Sequence, residues 1–237
     1  MNNQKIKNTK NIKEFSKNGY TIIRGALSRD LVDLATQYTL FDEIQDLCID
    51  TVQVYGAHGK YADPLVESLL AQLQGTVEAN TGLKVHPTYS FFRVYRPGQE
   101  LIPHKDRKEC EISVTICLGY DYAGAPDNYS WPIFVEGTPV EMFPGDIICY
   151  RGIDLEHWRE KFSAPEGAWH SQAFLHYVDV DGPYADSKYD GRESLGVIHP
   201  DFLAGFQKQK KSSSYSVSTT EVYLPSIDNK PKYVEFT

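Results

Sequence analysis

At Leu83 the hydrophobic pattern of this chain changes period, and that change limits the fold more than any other feature. Upstream, apolar residues recur at helical spacing. Leu65, Leu69, Leu70, Leu73 and Val77 make one stripe, opened by Asp63-Pro64 as an N-cap followed by proline at the first helical position and stopped by Asn80-Thr81-Gly82. Downstream, short runs rich in β-branched and aromatic residues are separated by Gly, Pro, Asp and Asn. Leu83 to Pro87, Thr88 to Arg96, Glu111 to Tyr120, Pro132 to Glu136, Pro139 to Phe143, Asp146 to Arg151 and Trp169 to Val178 read as β segments. Helices followed by a run of strands predict a mainly β, α+β fold: a sandwich or barrel buttressed by N-terminal helices.

The ends are less patterned. A polar leader covers residues 1–11, Ile12 to Lys17 predicts a short helix, and Gly19 and Gly25 bracket a strand from Tyr20 to Arg24. Ser28 is the expected N-cap of a helix running through Leu31, Leu34 and Tyr38 towards Ile44. Beyond Asp179 periodicity is lost, and Lys208 to Thr220 is rich in Lys and Ser. Residues 181–237 are therefore expected to form an extended C-terminal segment, either solvated or folded back as a lid. A chain of 237 residues with 41% hydrophobic content suits one domain with extensions.

Charge and cysteine usage exclude some functions. A formal charge of −8 argues against nucleic-acid or anionic-membrane partners, which need a basic face. Cys48, Cys110, Cys117 and Cys149 form no C-x-x-C pair and sit mostly in apolar contexts, as reduced core thiols of a cytoplasmic protein do. With no apolar run long enough to span a bilayer and no apolar core of a signal peptide, the expectation is a soluble cytoplasmic protein.

The chemistry concentrates in two places. Tyr95-Arg96-Pro97-Gly98-Gln99-Glu100-Leu101-Ile102-Pro103-His104-Lys105-Asp106 ends in an imidazole and a carboxylate that extended chain puts on one face. His157, in Leu155-Glu156-His157-Trp158-Arg159, supplies a second imidazole. Two His and one carboxylate can hold a divalent metal by one face and leave positions open. A lone His-x-Asp is weak, and either element alone reads as a surface polar pair or charged edge.

The spacing of Tyr95, Gly98, Leu101, His104 and Asp106, the Pro144-Gly145-Asp146 strand before His157, and the closing strand from Trp169 to Asp179 resemble the prolyl-hydroxylase-like branch of the Fe(II)- and 2-oxoglutarate-dependent dioxygenases, over roughly residues 12–180. That resemblance implies a double-stranded β-helix (jelly roll, cupin-like), with helices in 12–80 and strands in 83–179. It implies Fe(II) on His104, Asp106 and His157, with 2-oxoglutarate and O2 as co-substrates. An acid at 106, where halogenating relatives carry a small residue, points to hydroxylation of a C–H bond with release of succinate and CO2. The substrate would be a peptide or protein residue or a small amino-acid-like metabolite.

The chain departs from the family where the far carboxylate of 2-oxoglutarate should meet an Arg or Lys: counting along the closing strand reaches Trp169 or His170. Two replacements suggest themselves: His170, if a carboxylate partner keeps it protonated, and Arg159, which shares a strand face with His157. Tyr95 would donate its hydroxyl to the co-substrate. His176 and His86 read as core or barrel-lining residues, His58 and His199 as loop residues, Arg107 as a solvated neighbour of the metal or a substrate contact, and Trp131 and Trp158 as core aromatics or pocket walls. The missing cation leaves two rivals: a cupin-like metalloenzyme that does not use 2-oxoglutarate, and a non-catalytic jelly-roll binding protein.

Overall fold

The computed structural model describes residues 2–44, 49–50, 53–197, 222–224 and 232–234. The chain divides into two units, Met1–His199 and Pro200–Thr237. In the second, β12 (Val222–Leu224) pairs antiparallel with β13 (Lys232–Val234). Lys208 to Thr220, Cys48 and His199 lie outside the described residues.

The first unit opens with α1 (Asn2–Asn18), β1 (Tyr20–Ile23), α2 (Arg29–Ile44), β2 (Ile49–Asp50), β3 (Ala57–Tyr61) and α3 (Pro64–Thr81). The caps of α3 are those its sequence announces. Asp63 accepts the Leu65 N–H at 2.9 Å, Pro64 starts the helix, and Gly82 ends it in the left-handed region at φ 79°. By contrast α1 begins at Asn2 rather than Ile12, which corrects the short-helix expectation. Its Lys- and Asn-rich start has little propensity signal; tertiary contacts hold the helix, as where the buried Asn11 amide donates to Asn80 at 2.7 Å.

The strands that follow are β4 (Val85–Tyr95), β5 (Leu101–His104), β6 (Ile112–Asp121), β7 (Ile133–Val135), β8 (Thr138–Val140), β9 (Ile147–Arg151), β10 (His157–Arg159) and β11 (Trp169–Asp179). They form a seven-stranded sheet in the order β1-β9-β6-β11-β4-β3-β2 and a four-stranded sheet in the order β5-β10-β7-β8. The fold is a double-stranded β-helix. Val66, Leu69, Leu70, Leu73 and Val77 of α3 share one core cluster with Val114 and Ile116 of β6 and Leu175 and Tyr177 of β11, so the helices back the larger sheet. Its other face looks into the barrel.

Leu83 to Arg96, expected as two strands broken at Pro87, is the single strand β4. β3 pairs only with Phe91 to Val94, so Pro87 faces no strand on that side, and on the other it sits opposite Tyr177 of β11 beside a register irregularity. β3, β5 and β10 escape sequence reading for the same reason: each is short and carries His, Gly, Pro or charge in place of β-branched residues.

After β11 the chain turns through a 3-10 segment, Ala185–Gly191, to Arg192. The Arg192 guanidinium is buried and ion-paired with Glu67 at 2.6 Å, donates to the Thr88 carbonyl at 2.9 Å, and so ties this segment to α3 and β4. Removing one partner leaves a buried unpaired charge. Arg192→Ala is expected to cost about 3–5 kcal/mol, read as a lowered denaturation midpoint, whereas Arg192→Met with Glu67→Leu should recover most of it.

Candidate metal and anion site

Pairing of β5 with β10 sets His104 directly opposite His157, with ring centroids 4.3 Å apart. Asp106 follows two residues beyond β5, where its N–H donates to the Gly152 carbonyl at 2.9 Å. Its Oδ1 lies 3.6 Å from His104 Nε2 and 3.5 Å from His157 Nε2. His157 is far from the other two in the sequence; the pairing of β10 with β5 brings it beside them.

The imidazoles are pre-set for one role. His104 Nδ1 is 2.9 Å from the Ile102 carbonyl and His157 Nδ1 is 3.0 Å from the Leu155 carbonyl. A carbonyl only accepts, so each Nδ1 carries the proton and each Nε2 presents a lone pair to the common point. Burial holds the His104 pKa below its ordinary value, which favours the neutral, ligating form. Burial alone would raise the Asp106 carboxyl, but the neighbouring His157 and His176 imidazoles and the Ser113 hydroxyl outweigh it and hold it far below the usual carboxylate range. A negative carboxylate facing the Nε2 atoms of two imidazoles suits a divalent cation.

Asp106, Cys110 and His176 make a second close group of potential ligands. These atoms are already engaged: Asp106 Oδ2 and His176 Nδ1 meet Ser113 Oγ at 2.6 and 3.0 Å, and Cys110 Sγ lies 3.1 Å from the Tyr89 hydroxyl. This group forms a layer behind the first.

Deeper in the barrel, Tyr95, Arg159 and His170 come together, each at most 1% exposed. Arg159 lies over Trp131, its Cζ 4.5 Å from the ring centroid, and donates from Nη1 to the Trp131 carbonyl. No carboxylate faces it among the described residues, and its buried Nε has no hydrogen-bond partner there. His170 Nδ1 sits 2.8 Å from the Tyr122 hydroxyl, while its Nε2 is likewise buried and unpartnered. Gln172, fully buried two residues along β11, leaves both amide atoms unpaired among the described residues. An unpaired guanidinium in a dry interior costs several kcal/mol unless an anion joins it. The residues present thus fit a dicarboxylic 2-oxo acid: an anion-accepting end here and the His-Asp-His cluster at the mouth.

His170 is expected as a cation only where a carboxylate partner reaches it. Among its described neighbours, burial and then the Arg159 charge push its pKa well below 6.5, which favours a neutral imidazole offering a hydrogen bond beside the buried Arg159 guanidinium. Tyr95 keeps its hydroxyl proton for a ligand, since that oxygen accepts from Arg93 Nη1 at 3.1 Å.

The remaining candidates divide. His58, expected in a loop, lies buried on β3, 2.9 Å from Asp42, far from any ligating role. Arg107 is committed to a two-pronged ion pair with Asp190 at 2.9 and 2.8 Å. Trp131 stacks on Phe162 inside the barrel, whereas Trp158 stacks on Phe134 and His86 is half-buried. Sequence reasoning missed Ser113, Gly152, Tyr122 and Gln172. The period of two along β11, shared by His170, Gln172 and His176, was the one signal that pointed to any of them.

Buried neutral imidazoles make the metal-free protein sensitive to acid. His176 is lowered to about 4 by burial, and His170 well below 6.5. Between those values and about 6.5 the unfolded chain binds protons that the folded chain refuses, so stability falls as pH drops through this window. Denaturation midpoints should decline from pH about 6.5 towards about 4, and His176→Asn should flatten the decline.

No protein-family model matches the chain, and no curated protein matches it by sequence. Solved structures do. A prolyl-4-hydroxylase from Pseudomonas putida superposes with a TM-score of 0.56 at 16% identity, covering 73% of this chain and 98% of that one. The apo form of EctD from S. alaskensis gives 0.57 at 16% identity, covering 81% and 82%. A prolyl hydroxylase from Trichoplax adhaerens, in complex with a hypoxia inducible factor peptide, gives 0.55 at 13% identity, covering 81% and 96%. By fold, then, the chain is a double-stranded β-helix of the kind found in the 2-oxoglutarate and Fe(II) oxygenases.

Proposed function

We propose that this protein is an Fe(II)- and 2-oxoglutarate-dependent oxygenase that hydroxylates a C–H bond of a peptide or protein residue or of a small amino-acid-like metabolite, with succinate and CO2 as co-products. The observation that carries the reading is the buried Arg159 guanidinium, unpaired by any described carboxylate, in the same barrel as the His104, Asp106 and His157 cluster. When bound, the metal would supply oxygen activation, with the 2-oxo acid as electron donor.

The chain's own contribution is placement. His104, Asp106 and His157 would hold the metal by one face and leave the others open. Arg159 would neutralise the far carboxylate of the co-substrate, with the His170 imidazole and the Tyr95 hydroxyl donating hydrogen bonds. Trp131, Phe162 and Tyr122 close the deep end around this group and keep water from competing for it.

The net charge of −8 supports a peptide or small-molecule substrate over nucleic acid. No helix among the described residues is long and apolar enough to cross a membrane. Cys110, Cys117 and Cys149 are free and buried, which supports action in the reducing cytoplasm.

Anaerobic addition of Fe(II) and then 2-oxoglutarate to the metal-free protein tests the proposal. A weak visible charge-transfer band in the parent and none in His104→Ala supports it. Iron binding without the band favours a metalloenzyme that does not use 2-oxoglutarate, a reading supported by the neutral His170 where related enzymes carry a cation.

A further inference from the structure

Asp106 is restrained on the side turned away from the two imidazoles. Its Oδ2 lies 2.6 Å from Ser113 Oγ. The Ser113 hydroxyl has two acceptors in reach, this carboxylate and the Cys110 carbonyl at 3.1 Å; the shorter, charge-assisted contact takes its single proton, and Ser113 then accepts from His176 Nδ1, 3.0 Å away. The direction of the chain is fixed: imidazole to hydroxyl to carboxylate. The His176 ring is itself held, packed against Tyr89 with centroids 4.5 Å apart. Ser113 and His176 are cross-strand partners on β6 and β11, so the sheet sets their spacing.

Gly152 closes the third side. A Cβ placed on it would come well inside 3.0 Å of Asp106 Oδ2, the Cys110 carbonyl and Ser113 Oγ together. The backbone there does not need glycine's left-handed freedom; the requirement is space. The carbonyl of Gly152 also anchors Asp106 through its N–H.

We propose that Gly152, Ser113 and His176 are positioning residues that lock Asp106 Oδ2 and so present Oδ1 alone to a divalent metal. This rests on the reading of His104, Asp106 and His157 as metal ligands. A carboxylate held by one oxygen coordinates through the other, which keeps an additional coordination position free; an unrestrained carboxylate can take that position as a second point of attachment. Outer partners of this kind orient the ligands and tune affinity without touching the metal.

The test is Mn(II) binding to the metal-free protein, followed by electron paramagnetic resonance without 2-oxoglutarate or oxygen, with thermal melting as the check on folding. Ser113→Ala and Gly152→Ala should bind roughly 10- to 100-fold more weakly than the parent while still melting cooperatively. His176→Asn keeps an N–H donor near the position of Nδ1 and should bind close to the parent, whereas His176→Phe should resemble Ser113→Ala. If Gly152→Ala fails to fold, the Ser113 and His176 variants decide. Parent-like affinity in both Ser113→Ala and His176→Phe overturns the assignment alone. Absence of binding in the parent, equal to that of His104→Ala, overturns the metal reading and this assignment with it.

Discussion

Arg159→Met is expected to move stability and co-substrate binding in opposite directions. The metal-free parent holds a guanidinium that is 1% exposed and faces no described carboxylate. Breaking its hydrogen bond to the Trp131 carbonyl costs about 1–3 kcal/mol. Burying an unpaired ion costs several kcal/mol. The second effect is larger, so the metal-free variant should melt above the parent. Binding should show the reverse. Loss of the cation facing a buried carboxylate costs about 2–5 kcal/mol, or roughly 30- to 4,000-fold in 2-oxoglutarate affinity. Adding 2-oxoglutarate with a redox-inert metal should raise the parent's melting temperature by linkage and leave the variant's unchanged. Arg159→Lys keeps the charge without the planar fork and should fall between the two. A variant that melts lower than the parent and still binds 2-oxoglutarate would remove Arg159 from the site.

His157→Ala should abolish turnover while leaving the barrel folded. The imidazole is 2% exposed, wedged between His104 and the Tyr150 ring, with centroids 4.3 and 4.7 Å away. Its loss leaves Asp106 and His104 as the remaining candidate ligands and opens the site to water. A deficit of about 4 kcal/mol in transition-state stabilisation corresponds to a rate loss on the order of a thousandfold. Succinate release and substrate oxidation should fall together, and the circular dichroism spectrum should match the parent's. The conserved spectrum matters, because the β10 ladder to β5 and β7 is made by backbone groups that the substitution leaves in place. Undiminished succinate release from His157→Ala would contradict the metal assignment.

The sequence determined the parts of this protein that local physics governs. The caps and stripe of α3, the shift to strand periodicity after Leu83, and the His-x-Asp turn each depend on residues near one another in the chain, so their signals survive without a partner. The short strands β3, β5 and β10 have no such signal. They exist because neighbouring strands offer them hydrogen bonds, and β10 in turn decides that Arg159 points inward with His157.

Only the tertiary structure could decide charge state and pairing. In sequence, His170 stood as a cation if a carboxylate partner reached it; once folded, it is sealed away from water beside Arg159, and both effects disfavour a second positive charge. Likewise Ser113 and Gly152 are unremarkable letters until β6 and the turn after β9 bring them against Asp106. Spacing along the chain fixes which side chains share a face, but desolvation and contact depend on what arrives from elsewhere. That is why the His104, Asp106 and His157 group, and Arg159, His170 and Tyr95 as partners for an anion, could be named from the sequence, while the electrostatic setting of His170 and the support behind Asp106 could not.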